Sequence, residues 1–195
     1  GKEIKPYIFS EECPVTGLRI FSKPEWRVSD GKFAISVCLV GSNIISIKDI
    51  GFFNVDHNKI EIKIINEIAS EHIGEEKSYY IISDFSEVTG GTRAARKAAF
   101  KVAESFPENC LGYYAYGMGA SIRPIIKFLK KFNMIPQTVS FISDYKGAIS
   151  GALAEIDSVV AFSGKLTAEV TKTDDSFDKY QNAKIDEDLY VDLML

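Results

Sequence analysis

Hydrophobic and polar positions follow two different periods along this chain. Phe33, Ile35, Val37 and Leu39 alternate with Ala34, Ser36, Cys38 and Val40. A period of two predicts a strand, and this one is apolar enough on both faces to be central in a sheet. Gly41-Ser42-Asn43 reads as a turn, and Ile44, Ile45 and Ile47 start a second strand, so the pair predicts a β-hairpin. Gly51-Phe52-Phe53 reads as an exit loop, with Asn54 or Asp56 as the N-cap of the next helix. Over 57–73 the period becomes helical. Ile60, Ile64, Ile65, Ile68, Ala69 and His72 recur on one side, while Lys59, Glu61, Lys63, Glu67 and Glu71 fall mostly on others. So much isoleucine implies that packing, rather than propensity, holds this helix. His72, in its last turn, is expected to be half-exposed and favoured by the helix dipole.

The rest of the domain alternates. A strand over 79–84 stops at Ser83-Asp84, a polar crossing with Gly90-Gly91 follows, and an alanine-rich helix runs over 92–106. On that helix Arg93, Lys97 and Lys101 form a basic row opposite Ala95, Ala99, Val102, Ala103 and Phe106. A strand over 110–116, the turn Gly117-Met118-Gly119-Ala120-Ser121, a helix over 121–132, a strand over 138–142 and a helix over 147–156 complete the order. Hairpin, then α, β, α, β, α, β, α, predicts an α/β fold: a mostly parallel central sheet with packed helices. Three regions result: an extended lead-in over 1–31, broken by Pro6, Pro14, Gly17 and Pro24; the α/β domain over 32–156; and an extension over 157–195. In the lead-in, Ile20, Phe21 and Trp26 are expected to anchor onto a neighbouring surface. In the extension, Val159 to Phe162 reads as a short strand and 171–179 as a solvated loop. Leu189, Val191, Leu193 and Leu195 alternate as a last strand, either the start of a second copy of the domain or a sheet-edge addition.

Composition narrows the function classes. A net charge of −4 argues against nucleic acid as partner. From Thr167 onward eight acids face three lysines, so the acidity belongs to the extension and the first 166 residues are close to neutral. No apolar run approaches the ~18 residues of a membrane span, and no signal peptide is visible, so the reading is cytoplasmic, with no membrane partner. A first residue of Gly and a last strand stopping in mid-pattern lead us to expect a piece of a longer protein. Cys13, Cys38 and Cys110 are far apart and form no CxxC pair, so neither a metal site nor a disulfide framework is expected. Cys38 and Cys110 lie in apolar runs and read as small buried hydrophobes. A nucleophilic Cys13 lacks a base, since His57 and His72 both belong to the first helix pattern.

In a parallel sheet the carboxyl ends of the strands share one edge, and three turns are expected to meet there. The first carries Asp84, Ser86, Thr89, Gly90, Gly91, Thr92 and Arg93, the second Gly117, Met118, Gly119 and Ser121, and the third Asp144. Each precedes a helix, whose free N–H groups suit an anion. Thr92 or Thr89 caps the helix after Gly91, and Arg93 in its first turn is unfavourable for the helix alone, a placement that suits a docked anion or acidic partner. The plainer reading makes the threonines caps, the glycines turn formers and Arg93 a solvated side chain. The P-loop pattern is absent, and the dinucleotide pattern after Gly117 fails at Ile122. Asp84 and Asp144 can be read as an acid/base pair of a small enzyme, but the turns carry no histidine or cysteine and, of lysines, only Lys146. No catalytic residue, metal or cofactor is assigned.

The order of elements and the local text over 32–156 resemble the STAS domain, the fold of bacterial anti-sigma factor antagonists and of sulfate-transporter tails. Ser83 to Thr89 is similar to that family's strand ending in Asp-x-Ser-x-Val/Leu, 121–129 (SIRPIIKFL) to its third helix, and 144–153 (DYKGAISGAL) to its closing strand-to-helix segment. The resemblance implies a non-enzymatic regulatory module whose carboxyl-end edge meets a small ligand or a protein partner. The antagonists carry a phosphorylated serine at the start of the second helix. Here Thr92-Arg93-Ala94 stand in that place, so partner switching by phosphorylation would use Thr92 or Thr89. The lead-in CPVTGLRIFSKPEW is similar to an N-terminal module found ahead of PAS domains and histidine kinases in bacterial sensor proteins. That implies a sensor input of a two-component system, with a downstream signalling domain in the same polypeptide or a separate protein as partner. A homodimer through the hairpin or 189–195 is compatible with this.

Overall fold

The hairpin holds the middle of the sheet in the computed structural model of this protein, which describes residues 3–119, 130–131 and 138–166. Numbered along the chain, the strands are β1 (Ile20–Phe21), β2 (Arg27–Ser29), β3 (Phe33–Val40), β4 (Ile44–Phe53), β5 (Tyr79–Gly91), β6 (Cys110–Tyr116) and β7 (Val139–Phe141). The helices are α1 (Val55–Glu67), α2 (Arg93–Glu104) and α3 (Tyr145–Leu166). The seven-stranded sheet runs β1-β3-β4-β5-β6-β7, with β2 also pairing β3. β3 is antiparallel to β4, and β4, β5, β6 and β7 are mutually parallel. The chain is thus α/β, a hairpin followed by alternating strands and helices on a mostly parallel sheet, as its periodicity predicts.

Strand alternation sorts the core onto two faces. Phe33, Ile35, Val37 and Leu39 pack with Ile45, Ile47, Tyr79 and Ile81 beneath α1, whose Ile64 and Ile65 reach down to them. Trp26 of the lead-in is fully buried in the same cluster, as an anchor should be. On the opposite face Cys38, Val40, Ile44, Tyr80, Ile82 and Tyr114 pack against Ala148, Ile149, Ala152 and Ile156 of α3. The lead-in closes this face with Cys13, aided by Phe9, Leu18 and Ile20. Its strands β1 and β2, separated by a 3-10 turn at Pro24–Trp26, divide the outer edge of β3 between them. β3 is therefore paired on both sides and buried at every position.

Several local expectations give way to tertiary pairing. Gly51-Phe52-Phe53 is strand, not exit loop, and the polar crossing with Gly90-Gly91 is strand as well. β4 and β5 stay paired through Gly51↔Val88, Phe52↔Gly90 and Phe53↔Gly91. The glycines make this possible, because a Cβ at Gly91 would run into the Phe53 ring and one at Gly90 would press on Phe52. Asn54 is the N-cap of α1, its side chain accepting from Asp56 and His57 N–H. The end of that helix, Ile68–Ile73, is π-helical. Its wider turn keeps Ile68 and Ile73, five residues apart, both buried. Val159 to Phe162 belongs to α3 rather than to a strand. No proline or turn cluster follows Ile156 to stop the helix, and a four-residue apolar run has no period of its own. Ser121, most of the helix expected over 121–132, the 171–179 loop and the strand expected over 189–195 lie outside the described residues. Among the described residues no helix is long and apolar enough to cross a membrane.

Candidate functional site at the carboxyl-end edge

The carboxyl-end edge is stepped. β6 stops at Tyr116, opposite Asp84, while β4 and β5 run on together to Phe53 and Gly91. This divides the residues that the sequence placed on one edge. Asp84, Ser86 and Gly117 lie together at the lower step, where a Cβ on Gly117 would stand 2.5 Å from the Ser86 nitrogen. Gly117 has φ +82°, so glycine is required there twice over. Met118 and Gly119 follow it. Thr89, Gly90 and Gly91 sit three to five residues beyond Ser86 on β5, roughly 10–17 Å away at strand rise, and Thr92 and Arg93 follow at the start of α2. There Thr92 Oγ1 accepts from Ala95 N–H at 3.1 Å and caps α2, and Arg96 Nη1 donates to the Gly91 carbonyl. Asp144 opens α3, its Oδ1 accepting from Gly147 N–H at 2.8 Å. It serves the helix as a cap.

At the lower step the structure adds a residue that the sequence reading did not single out, Lys48. It stands opposite Asp84 in the β4–β5 register, 8% exposed. Its Nζ meets Asp84 Oδ2 at 2.8 Å, Glu87 Oε1 at 2.9 Å and Ser86 Oγ at 3.0 Å. Burial alone would lower the ammonium pKa, but hydrogen bonds and charge from Asp84 and Glu87 outweigh it and raise the pKa. Asp84 is tuned the same way: burial pushes its carboxyl up, and the bonds from Lys48 and Ser86 bring it below its ordinary value. The two acids are not equivalent. The Asp84 side chain is 14% exposed and also accepts from Ser86 N–H, whereas that of Glu87 is 57% exposed. One local signal for Lys48 existed: a lysine within an isoleucine-rich strand has to find a buried partner.

Most other reactive side chains are engaged elsewhere, while among the described residues His72 Nε2 and Asp49 Oδ1 have no hydrogen-bond partner. His57 Nδ1 accepts from Asn54 N–H at 3.0 Å, and Nε2 lies 2.9 Å from Asp30 Oδ2. Nε2 therefore carries the proton, and both ring nitrogens are occupied. Asp30 is held at about 2 by the N–H groups of Lys32 and Phe33 and by His57. His57 stacks on Phe33 beside a cleft of about 230 Å³ between β2 and the start of α1. His72 is half-buried, in edge contact with Trp26. Cys38 and Cys110 are buried, and burial pushes both thiols up, that of Cys110 to about 11. The Cys13 thiol is raised by burial, but hydrogen bonds from Thr16 and Tyr145 bring it below its ordinary value; it packs on the α3 face, with the sheet between it and His57. Glu67, Glu71 and His72 bring three ligating atoms within 4.8 Å of one another on the last turns of the first helix. There Glu67 Oε1 already takes the Trp26 Nε1–H at 3.0 Å and the Lys23 ammonium at 3.5 Å.

No protein-family model and no curated protein matches the chain. Among solved structures it is similar to the crystal structure of an uncharacterised protein from the DUF3478 family with a SpoIIAA-like fold, from Shewanella loihica PV-4. The identity is 13%, the match covers 62% of this chain and 93% of that one, and the TM-score is 0.47. The coarse class, mixed α/β with a mostly parallel sheet, rests on the strand order of this chain itself.

Proposed function

We propose that this chain is a non-enzymatic, cytoplasmic regulatory module of a bacterial signal-transduction protein. It takes a small anion, or an acidic side chain of a protein partner, at the lower step of the carboxyl-end edge. The observation that carries this reading is Lys48, a buried cation whose nearest neighbours are one fixed acid, Asp84, and one exposed acid, Glu87. Glu87 can swing into solvent and leave a place beside the ammonium, the Ser86 hydroxyl and the backbone at Gly117. Occupancy would bias the β4–β5 arm and α2, a population shift that a downstream domain or a partner reads. A catalytic reading has less support, because the acid and base candidates described above are already tied as caps or ion pairs. The test is a titration of amide chemical shifts with sodium phosphate and with sodium acetate. Saturable shifts at Ser86, Glu87 and Gly117 that vanish in Lys48→Met support the site. Their absence, or their persistence in Lys48→Met, refutes it.

A second reading, partner switching by phosphorylation, is favoured by one feature. Thr92 is exposed at the N-terminus of α2, where a phosphate interacts well with the helix dipole. Thr89, three residues earlier, is the exposed alternative. Mass spectrometry after incubation with a cognate kinase decides it, and no modification at either threonine ends it.

A further inference from the structure

Lys48 and Asp49 are consecutive on β4, so the pleat sends them to opposite faces. Lys48 goes to the α3 face with its acids. Asp49 goes to the α1 face, 3% exposed, where its Oδ1 has no hydrogen-bond partner. It sits at a register shift, since Lys48 pairs with Asp84 and Ile50 with Glu87, leaving two β5 residues opposite Asp49. Such bulges re-aim side chains. Glu61 of α1 is half-buried and lies on the helix stripe of buried His57, Ile64, Ile65 and Ile68, which faces the sheet, and its charge acts on Asp49.

The other groups around the pair offer little neutralisation. From the sheet, Asp84 adds like charge, and Lys48 acts only weakly from the other side of the strand. From β6, Tyr113 is half-buried and donates its hydroxyl proton to Ser83 Oγ at 2.6 Å. From α2, Arg96 directs Nη1 to the Gly91 carbonyl. Of the charges that act on Asp49, the cation Lys48 counts for less than burial, Glu61 and Asp84. Burial, then Glu61 and Asp84, push the Asp49 carboxyl well above its ordinary range, and burial pushes Glu61 up.

We propose that Asp49 and Glu61 form a proton-binding site that seats α1 on the sheet. With the O–H bonds intact the pair is neutral and α1 stays down. Release of the protons to solvent leaves two like charges between helix and sheet, and α1 loosens. The proposal does not rest on the anion reading above, because the two acids lie on the other face, although the charges of Asp84 and Lys48 reach Asp49. The experiment uses the whole chain: ¹³C NMR titration of the side-chain carboxyls, with hydrogen exchange of the α1 amides between pH 5 and 8. Both carboxyls should titrate above the ordinary carboxylate range. The opening constant of α1 amides should rise by up to about tenfold per pH unit for each proton lost. Asp49→Asn and Glu61→Gln should each flatten that rise. Carboxyls that titrate near 4, or a rise that persists unchanged in both variants, would overturn the proposal. Should a variant not fold, the wild-type carboxyl titration decides alone.

Discussion

Lys48 and Asp49 share a peptide bond, yet they are stabilised in opposite ways. Lys48 is buried charged, within reach of two carboxylates and a hydroxyl. Asp49 is buried on the other face, where the charge of another acid acts on it, and burial and that acid drive it towards the neutral form. The difference teaches that a buried ionisable group is set less by its own depth than by which face of the sheet its strand position selects. A charge with partners stays a charge, and one without partners gives way to its neutral form.

The strongest way to break this contrast is Lys48→Met. It leaves Asp84 buried without its cation, and losing one member of a buried pair costs about 3–5 kcal/mol. Urea unfolding at pH 7 should show that loss, while Asp49→Asn at the same pH should be neutral or stabilising. A comparable loss from Asp49→Asn would mean that Asp49 is ionised and paired, and the contrast would fail.

The pH dependence sharpens it, with an expected effect on the order of 1–3 kcal/mol on each limb. Asp84 has a depressed folded pKa, so its contribution is complete above the unfolded carboxylate range and is lost as pH falls through the folded value. Asp49 and Glu61 have raised folded pKa values, so their contribution is complete below that range and is lost as pH rises through the folded values. Stability should therefore fall on both sides of a mildly acidic maximum. Asp84→Asn should flatten the acid limb and shift the other only slightly, by removing its charge from Asp49, and Asp49→Asn should act on the other limb. A single monotonic limb, insensitive to one of the two variants, would contradict the assignment.

Smaller effects probe the edges of the two regions. Thr92→Ala removes a cap on α2 and should cost about 1 kcal/mol, read by thermal melting. Glu87→Gln removes an exposed partner of Lys48 and should cost only about 0.2–1 kcal/mol. A loss as large as that from Lys48→Met would make Glu87 a fixed structural acid and not an exchangeable one.

The periodicity of 33–40, 44–47 and 57–73 is local information, carried by residues two to four apart, and it is enough to define the hairpin, the first helix and the alternation that makes the sheet parallel. The caps were legible to within a pair, Asn54 or Asp56 and Thr92 or Thr89, since a cap bonds within three residues of itself, and the structure selects Asn54 and Thr92. The reach of β4 and β5 was not. Ser86, Glu87, Thr89 and two glycines read locally as a crossing, and only the ladder to Gly51, Phe52 and Phe53 makes them strand. That extension moved Gly91 and Arg93 away from Gly117 and divided one expected site into two.

The sequence by itself thus determined the fold class, the two apolar faces and, to within a pair, the helix caps, because each follows from spacing along a few turns of chain. The tertiary structure alone decided that Lys48 stands opposite Asp84, that the charge of Glu61 acts on Asp49 and that Gly117 closes on Ser86. Those contacts depend on strand register and on which helix covers which face, and residues far apart in sequence carry no local mark of either.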